Sequence, residues 1–144
     1  MKKSKHDIPL EITGIKEDGH HVFINATVNG NSVRLLVDTG ASRTVFDEST
    51  VKKIQEGVEL ELNEDKAVGL GSVELDNFIA NLRHISIAGM EIKDLQIGVL
   101  DLSHVNESYG KINMPPIDGV LGSDVLVKYK AVIDFGKKEM TLFG

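Results

Sequence analysis

The stretch from residue 35 to residue 42 constrains the fold of this chain more than any other. It reads Leu-Leu-Val-Asp-Thr-Gly-Ala-Ser. The apolar start predicts a buried β-strand, and Gly40 allows the chain to turn sharply after it. Asp38 then lies at the end of a strand, held by a rigid core. The plain alternative is that Asp38 only starts a turn, where Asp is common because its side chain bonds to nearby backbone N–H groups.

Composition favours a β-rich domain. The chain has 144 residues, no Trp and only 5% aromatic residues, so its core must be built from Val, Ile and Leu, two of which are β-branched and prefer strands. The 14 Gly and 3 Pro fit many tight turns and few rigid linkers. We expect one all-β domain over residues 8–144, preceded by a disordered tail over residues 1–7.

Alternating apolar residues and turn signals predict about ten short strands and two short helices. Asn29-Gly30 is a strong hairpin signal between strands at residues 20–28 and 32–38. Further hairpins are expected at residues 82–99 and 131–143. Residues 67–80 are predicted to form two strands joined by a Gly-rich tip. The two helices are expected after residue 47 and after residue 122. Residues 103–114 are polar and are predicted to form a loop. Asp38 therefore ends the second arm of a hairpin.

Charge and residue usage exclude several classes of function. The net charge of −6 argues against nucleic acid as a partner, because such binding depends on basic clusters that neutralise phosphates. The absence of Cys excludes disulfides and thiol catalysis. The five His residues show no metal-ligand spacing, and we expect them on the surface or in loops. We expect no metal and no cofactor.

The sequence gives no sign of a membrane or secretory location. The first residues are charged but are not followed by the apolar segment of a signal peptide, and no apolar run approaches transmembrane length. We therefore expect no membrane partner and a cytoplasmic location; the alternative is a leader that is removed from a longer precursor.

Several motifs in order carry a resemblance to a known family. Beyond residues 35–42 they are Val68-Gly69-Leu70-Gly71, Ile117-Asp118-Gly119-Val120-Leu121-Gly122, and the final strands at residues 131–135 and 140–143. Over about residues 20–143 the chain resembles the retroviral-type (retropepsin-like) aspartic proteases, and more closely their single-domain bacterial relatives. The resemblance implies a closed β-barrel with a flap hairpin and one or two short helices. It assigns roles to seven residues: Asp38 as the catalytic carboxylate, Thr39, Gly40 and Ala41 as its support, and Gly69, Leu70 and Gly71 as the substrate-covering flap tip.

The chemistry of this family requires two carboxylates that share one proton, one acting as base on a water and the other as acid toward the scissile carbonyl. This chain has one Asp-Thr-Gly and no second copy. The resemblance therefore implies an endopeptidase that acts on a peptide or protein as a homodimer, with Asp38 facing its symmetry mate. The alternative is a catalytically weak or inactive peptide-binding or dimerisation module on the same fold. A third interpretation is a subunit or domain of something larger, in which the short chain relies on a partner.

The chain departs from the viral pattern at two places. Viral members carry an Asp two residues after the catalytic Gly, paired with an Arg at the start of the C-terminal helix, whereas Ser42 and Ser123 stand here. One hypothesis is that Arg43 and Asp124 replace that ion pair, or that hydroxyl bonds do. Viral dimers lock through a terminal sheet, for which residues 8–12 and 140–143 are the candidates. Asp118, Asp124 and Asp134 are expected to be structural.

Overall fold

The computed structural model describes residues 4–17, 19–62 and 78–144. Three short helices lie among them: α1 (Glu48–Ile54), α2 (Ser103–Lys111) and α3 (Ser123–Lys128). The strands are β1 (Lys5–Pro9), β2 (Glu11–Ile15), β3 (Gly19–Val28), β4 (Asn31–Val37), β5 (Val45–Asp47), β6 (Glu61–Leu62), β7 (Phe78–Ile87), β8 (Met90–Leu100), β9 (Gly119–Leu121), β10 (Val132–Asp134) and β11 (Glu139–Phe143). The predicted flap tip at Gly69, Leu70 and Gly71 lies outside the described residues.

Six strands form a closed barrel, as predicted. They run in the order β3-β4-β9-β5-β8-β7, and the ring closes where Thr27 and Val28 of β3 pair with Ser86 and Ile85 of β7. Strands β2 and β6 extend the sheet on its two sides. The inward residues are almost all aliphatic, with Leu35, Leu82, Ile85 and others completely buried.

Two predicted hairpins are confirmed by their turns. Asn29 and Gly30 both adopt positive φ, 48° and 82°, and join β3 to β4. Ala88 and Gly89 do the same, with φ of 51° and 82°, between β7 and β8. Two consecutive residues at positive φ match the right-handed twist of the flanking strands, so each turn fixes the register of its hairpin.

Strand β9 crosses between the two strands that flank the Asp-Thr-Gly segment. It pairs in parallel with β4 and antiparallel with β5. The approach is so close that a Cβ added to Gly119 would lie 2.5 Å from the carbonyl oxygen of Val45. This crossing brings residues 117–124 against residues 34–47 and so builds the base on which Asp38 lies.

The chain termini form a separate three-stranded sheet in the order β1-β11-β10. The structure contradicts the predicted disordered tail at residues 5–7, which belong to β1, and residues 1–3 lie outside the described residues. Ile8 is buried in the main core and is the register partner of Met140, so burial and the β11 ladder order this segment. Strand β11 lies in the middle of this sheet and is paired on both of its edges.

Helix α2 is a second departure, because residues 103–114 were predicted to be a loop. Its buried residue Tyr109 packs with Phe23, Leu102 and Ile117 in a small cluster separate from the main core. Contacts with residues distant in sequence, rather than local propensity, therefore stabilise this polar helix. The described segment also contains one helix more than predicted, and β7 runs unbroken from Phe78 to Ile87 where a break was expected.

The longest described helix, α2, has 9 residues, so no helix in the described ranges reaches the length or apolarity needed to cross a membrane.

Candidate active site

Asp38 follows the last residue of β4 and is held by its backbone. Its N–H donates to the carbonyl of Leu121 at 3.0 Å, which continues the ladder between β4 and β9. The side chain is exposed, and its Oδ1 accepts a hydrogen bond from the Gly40 N–H at 2.9 Å. The turn interpretation of Asp38 is thus correct in part, but the turn presents the carboxylate to solvent at a fixed position.

The other predicted supporting residues lie beside it. Thr39 and Gly40 are exposed, and Ala41 is half-buried. The Ala41 N–H donates to the Asp38 carbonyl at 3.2 Å, and the Ala41 carbonyl accepts from the Ser123 N–H at 2.7 Å. The structure therefore brings Asp38, Thr39, Gly40 and Ala41 together in one loop, anchored to the start of α3.

A shallow cleft opens at this loop. Its lining is mainly apolar and includes Asp38 and Thr39 as its polar members: Val22, Val37, Asp38, Thr39, Ile133 and Phe135. Apolar walls beside a polar group are typical of sites that bind an extended chain or small ligand. The cleft can therefore hold apolar side chains next to a carboxylate.

Thr44 and Asp124 anchor the far end of the loop. Thr44 is fully buried, its hydroxyl donates to the Asp124 carboxylate at 2.8 Å, and its N–H lies 3.0 Å from both carboxylate oxygens. The same hydroxyl accepts from the Gly122 N–H at 3.0 Å. A charged acceptor makes such bonds stronger than neutral ones, so this contact fixes residue 44 against α3.

This arrangement decides between the two hypotheses for the missing viral ion pair. Within the described ranges no ion pair joins Arg43 to Asp124, so that version is wrong. A hydroxyl bond takes its place, and the donor is Thr44, which the sequence analysis did not single out. A Thr just before an apolar strand carries no signal of this role, because its partner is 80 residues away.

Two further carboxylates stabilise the base of the site through hydrogen bonds. Asp47 is buried and accepts from the Leu102 N–H at 2.9 Å and from the Ser49 hydroxyl. Asp118 accepts from the Arg34 N–H at 2.8 Å and from the Thr50 hydroxyl at 3.1 Å. All of these bonds hold backbone or neighbouring helix residues, which supports the structural role predicted for Asp118.

The histidines are dispersed, although one is less peripheral than predicted. His21 is half-buried, and its Nδ1 lies 2.8 Å from the Tyr109 hydroxyl, so it helps to fix α2. No group of three or more His, Cys, Asp or Glu in the described part of the chain is arranged to hold a metal ion.

The fold is similar to that of several solved proteases. A retropepsin-like aspartic protease from Rickettsia conorii superimposes with a TM-score of 0.60 at 22% identity, covering 99% of this chain and 94% of that one. The retroviral protease-like domain of Ddi1 from Leishmania major gives 0.57 at 19% identity, covering 83% and 86%. The EIAV protease in complex with the inhibitor HBY-793 gives 0.54 at 20% identity, covering 78% and 91%.

At these sequence identities the structural similarity establishes the fold alone, whereas the family is established by a match to a sequence model. No curated protein matches the chain significantly. A family model described as "Aspartyl protease" matches residues 24–125, which is well over half of the chain and includes the whole Asp38 loop. The resemblance read from the motifs is therefore confirmed, and the chain belongs to the aspartyl protease family.

Proposed function

We propose that this protein is an aspartic endopeptidase that hydrolyses peptide bonds with a water molecule activated by two Asp38 carboxylates, one from each subunit of a homodimer. The observation that carries the proposal is the exposed Asp38 carboxylate, fixed at a strand end beside an apolar cleft. Membership of the aspartyl protease family supports it.

The chemistry explains why one carboxylate does not suffice. Two carboxylates placed close together cannot both ionise, so they share a proton. The ionised one takes a proton from water as it attacks the scissile carbonyl, and the protonated one donates to the carbonyl oxygen. The chain supplies one Asp-Thr-Gly, so a second chain supplies the other carboxylate.

The remaining loop residues support that chemistry. The Gly40 N–H holds one oxygen of Asp38 and so orients the carboxylate. Thr39 is exposed next to it, where its hydroxyl is available to a facing subunit. The tip Gly69, Leu70 and Gly71 is proposed as the flap, where bare backbone would close over a bound peptide and exclude water.

The decisive experiment is cleavage of a diverse pool of denatured peptides across pH 3.5 to 8. The protein is compared with Asp38→Asn and with Asp101→Asn, a matched control at an exposed carboxylate that accepts a hydrogen bond from the Ser103 N–H, a bond that the Asn side-chain oxygen can also accept. We expect cleavage by the wild type and Asp101→Asn, a bell-shaped pH profile that belongs to the pair, and loss of activity in Asp38→Asn. A pepstatin-type inhibitor should block cleavage.

The alternative function is a peptide-binding or dimerisation module. An apolar cleft can bind a peptide without cutting it, so binding alone does not separate the two functions. A folded, dimeric protein that binds peptides but cleaves none at any pH would establish the alternative. Activity that persists in Asp38→Asn would refute the dyad.

A further inference from the structure

The turn between β3 and β4 contains Asn29-Gly30, the only Asn-Gly pair in the sequence. In such a pair the main-chain nitrogen of the glycine can attack the side-chain amide of the asparagine, because glycine has no side chain to block the approach. Gly30 is exposed, and a Cβ placed on it would meet nothing within 4 Å. The turn is therefore open to water and uncrowded at the position where this reaction takes place.

The Asn29 side chain joins this turn to the end of helix α1. Its Nδ2 lies 3.1 Å from the carbonyl oxygen of Ile54 and 3.2 Å from Oε1 of Gln55. A side-chain amide has two N–H donors, so both hydrogens of Asn29 have an acceptor. The amide form of residue 29 is thus the form that these contacts require.

Gln55 extends the contact to strand β7. Its side chain is buried, Nε2 donates to the Asn81 carbonyl at 2.7 Å, and Oε1 accepts from the Arg83 N–H at 3.0 Å. On this edge β7 pairs with β6 at residues 78–79 and with β3 at residues 85–86. Between those pairings the Gln55 amide takes the place of a neighbouring strand. We call the contacts among residues 29, 55, 81 and 83 the Gln55 clamp.

The Gln55 amide has only one satisfactory orientation in this clamp. Its oxygen accepts from two donors, Asn29 Nδ2 and the Arg83 N–H, while its nitrogen donates to the Asn81 carbonyl. Turning the amide over would set its nitrogen against the Arg83 N–H and its oxygen against the Asn81 carbonyl. The clamp therefore needs a donor at residue 29.

We propose that Asn29 is a site of spontaneous deamidation, and that its conversion to a carboxylate opens the Gln55 clamp. The Gly30 nitrogen loses its proton to base and attacks Cγ of Asn29, the bond from Cγ to Nδ2 breaks, and the amide nitrogen leaves as ammonia. Water then opens the resulting succinimide ring. Opening at Cγ gives aspartate, and opening at the main-chain carbonyl carbon gives isoaspartate. One water is consumed and one ammonia is released, and the inference does not depend on the proposed function.

The aspartate product removes the donor that the clamp needs. Its carboxylate would face the Ile54 carbonyl oxygen and Gln55 Oε1, so that acceptors meet with no hydrogen between them. The Gln55 amide cannot turn over to relieve this without losing both of its bonds to β7. The isoaspartate product also adds one carbon to the main chain in the turn that fixes the register of β4.

Peptide mapping by mass spectrometry tests the modification. The folded, full-length protein is kept at mildly alkaline pH, and each asparagine is followed for the mass increase that marks replacement of an amide by a carboxylate. The internal control is Asn113, which is exposed and also has positive φ, 59°, but is followed by Met114. We expect residue 29 to convert, with isoaspartate among the products, while residue 113 keeps its amide. An Asn29 amide that lasts as long as that of Asn113 would overturn the proposal.

Two variants test the consequence for the clamp. Asn29→Asp supplies the carboxylate at once, whereas Asn29→Gly removes the side chain without adding an acceptor. Asp-Gly and Gly-Gly both suit this type of turn, so both variants should fold. Amide hydrogen exchange at the Arg83 N–H should be at least about tenfold faster in Asn29→Asp than in Asn29→Gly, because only the carboxylate opposes Gln55 Oε1. Equal exchange in the two variants would show that a carboxylate at residue 29 does not open the clamp.

Discussion

Single residues set how closely the strands around Asp38 approach. A Cβ at Gly119 would lie 2.5 Å from the Val45 carbonyl oxygen, and one at Gly122 would lie 2.8 Å from the Ala41 carbonyl oxygen. Both obstacles are backbone atoms, which cannot rotate away. These two glycines therefore act through space rather than through conformational freedom, and both lie at the crossing that supports the Asp38 loop.

We predict that Gly119→Ala lowers the free energy of unfolding by at least about 1–3 kcal/mol, because a methyl group must push two paired strands apart. Urea unfolding measures the loss. The matched control is Gly110→Ala in helix α2, where an added Cβ meets nothing within 4 Å. That change should be neutral or stabilising by up to about 1 kcal/mol, since Gly disfavours helix. Equal destabilisation by both variants would contradict the steric argument.

We predict that Thr44→Val reduces stability by about 1–3 kcal/mol, because it leaves the Gly122 N–H without its acceptor and removes a donor to Asp124. If the proposed activity is present, kcat should also fall more than KM rises, since the loop that carries Asp38 is loosened. Thr44→Ser keeps the hydroxyl and should restore most of both quantities. Failure of the serine variant to recover either one would mean that the methyl packing, and not the hydroxyl, matters.

At the scale of elements, helix α2 shows how a polar segment is fixed by a few contacts. The Tyr109 ring meets Phe23 and His21 edge to face, and its hydroxyl lies 2.8 Å from His21 Nδ1. The Asn106 side chain accepts from the Ile117 N–H and donates to the Ile117 carbonyl. The helix thus couples β3 to the segment that leads into β9.

We predict that Tyr109→Ala releases α2 from the barrel, with loss of hydrogen-exchange protection over residues 103–111 and about 3 kcal/mol or more of stability, because a buried ring is removed. Tyr109→Phe keeps the ring and loses one hydrogen bond, so it should cost only about 1 kcal/mol. Retained protection in Tyr109→Ala would show that the Asn106 contacts alone fix the helix.

We also predict a pH effect at this element. Burial raises the pKa of the Tyr109 phenol above its ordinary value of 10.0, and the positive charge of Arg34 opposes this in part. The unfolded chain then ionises first as the pH rises, so stability present below pH 10 is lost above it. The difference in unfolding free energy between the wild type and Tyr109→Phe should shrink from pH 9 to pH 11. A constant difference would refute the shift.

At the scale of the whole molecule, one chain provides half of the proposed site. The barrel presents the Asp38 loop and an apolar cleft on one side, next to the open β10 edge. Activity should therefore depend on association and not only on folding. Because dimers form by mass action, the activity per chain should rise with the protein concentration.

We predict that Asp38→Asn acts as a dominant inhibitor. When equal amounts of wild type and variant exchange subunits, random pairing leaves about a quarter of the dimers with two aspartates. Compared with the same total amount of wild type alone, the activity should therefore fall below one half, which is the value expected if each chain worked independently. Peptide cleavage before and after subunit exchange measures this. Activity that stays at one half would indicate that each chain works alone.

Local signals predicted much of this structure. Signals from residues close together in the sequence predict three features: the Asp38 loop, the turn at Asn29-Gly30 and the final hairpin. The structure contains each of them. The order of β1 and the helicity of α2 were missed, because both depend on partners far along the chain, Met140 for Ile8 and Phe23 for Tyr109. The Thr44–Asp124 contact was missed for the same reason. Sequence patterns report local preference, and these features are decided by packing.

The crossing of β9 between β4 and β5 has a consequence for folding speed. Two hydrogen bonds that hold the site join residues far apart in the sequence. Thr44 and Asp124 are separated by 80 positions, and Arg34 and Asp118 are separated by 84. Contacts of such high sequence separation form late, because a long loop must be closed before they bring any gain. We expect the Asp38 loop to gain its fixed shape only when residues 117–124 have docked. A nascent chain that lacks them holds the complete Asp-Thr-Gly motif but no scaffold for it, so peptide cleavage would be delayed until the barrel closes.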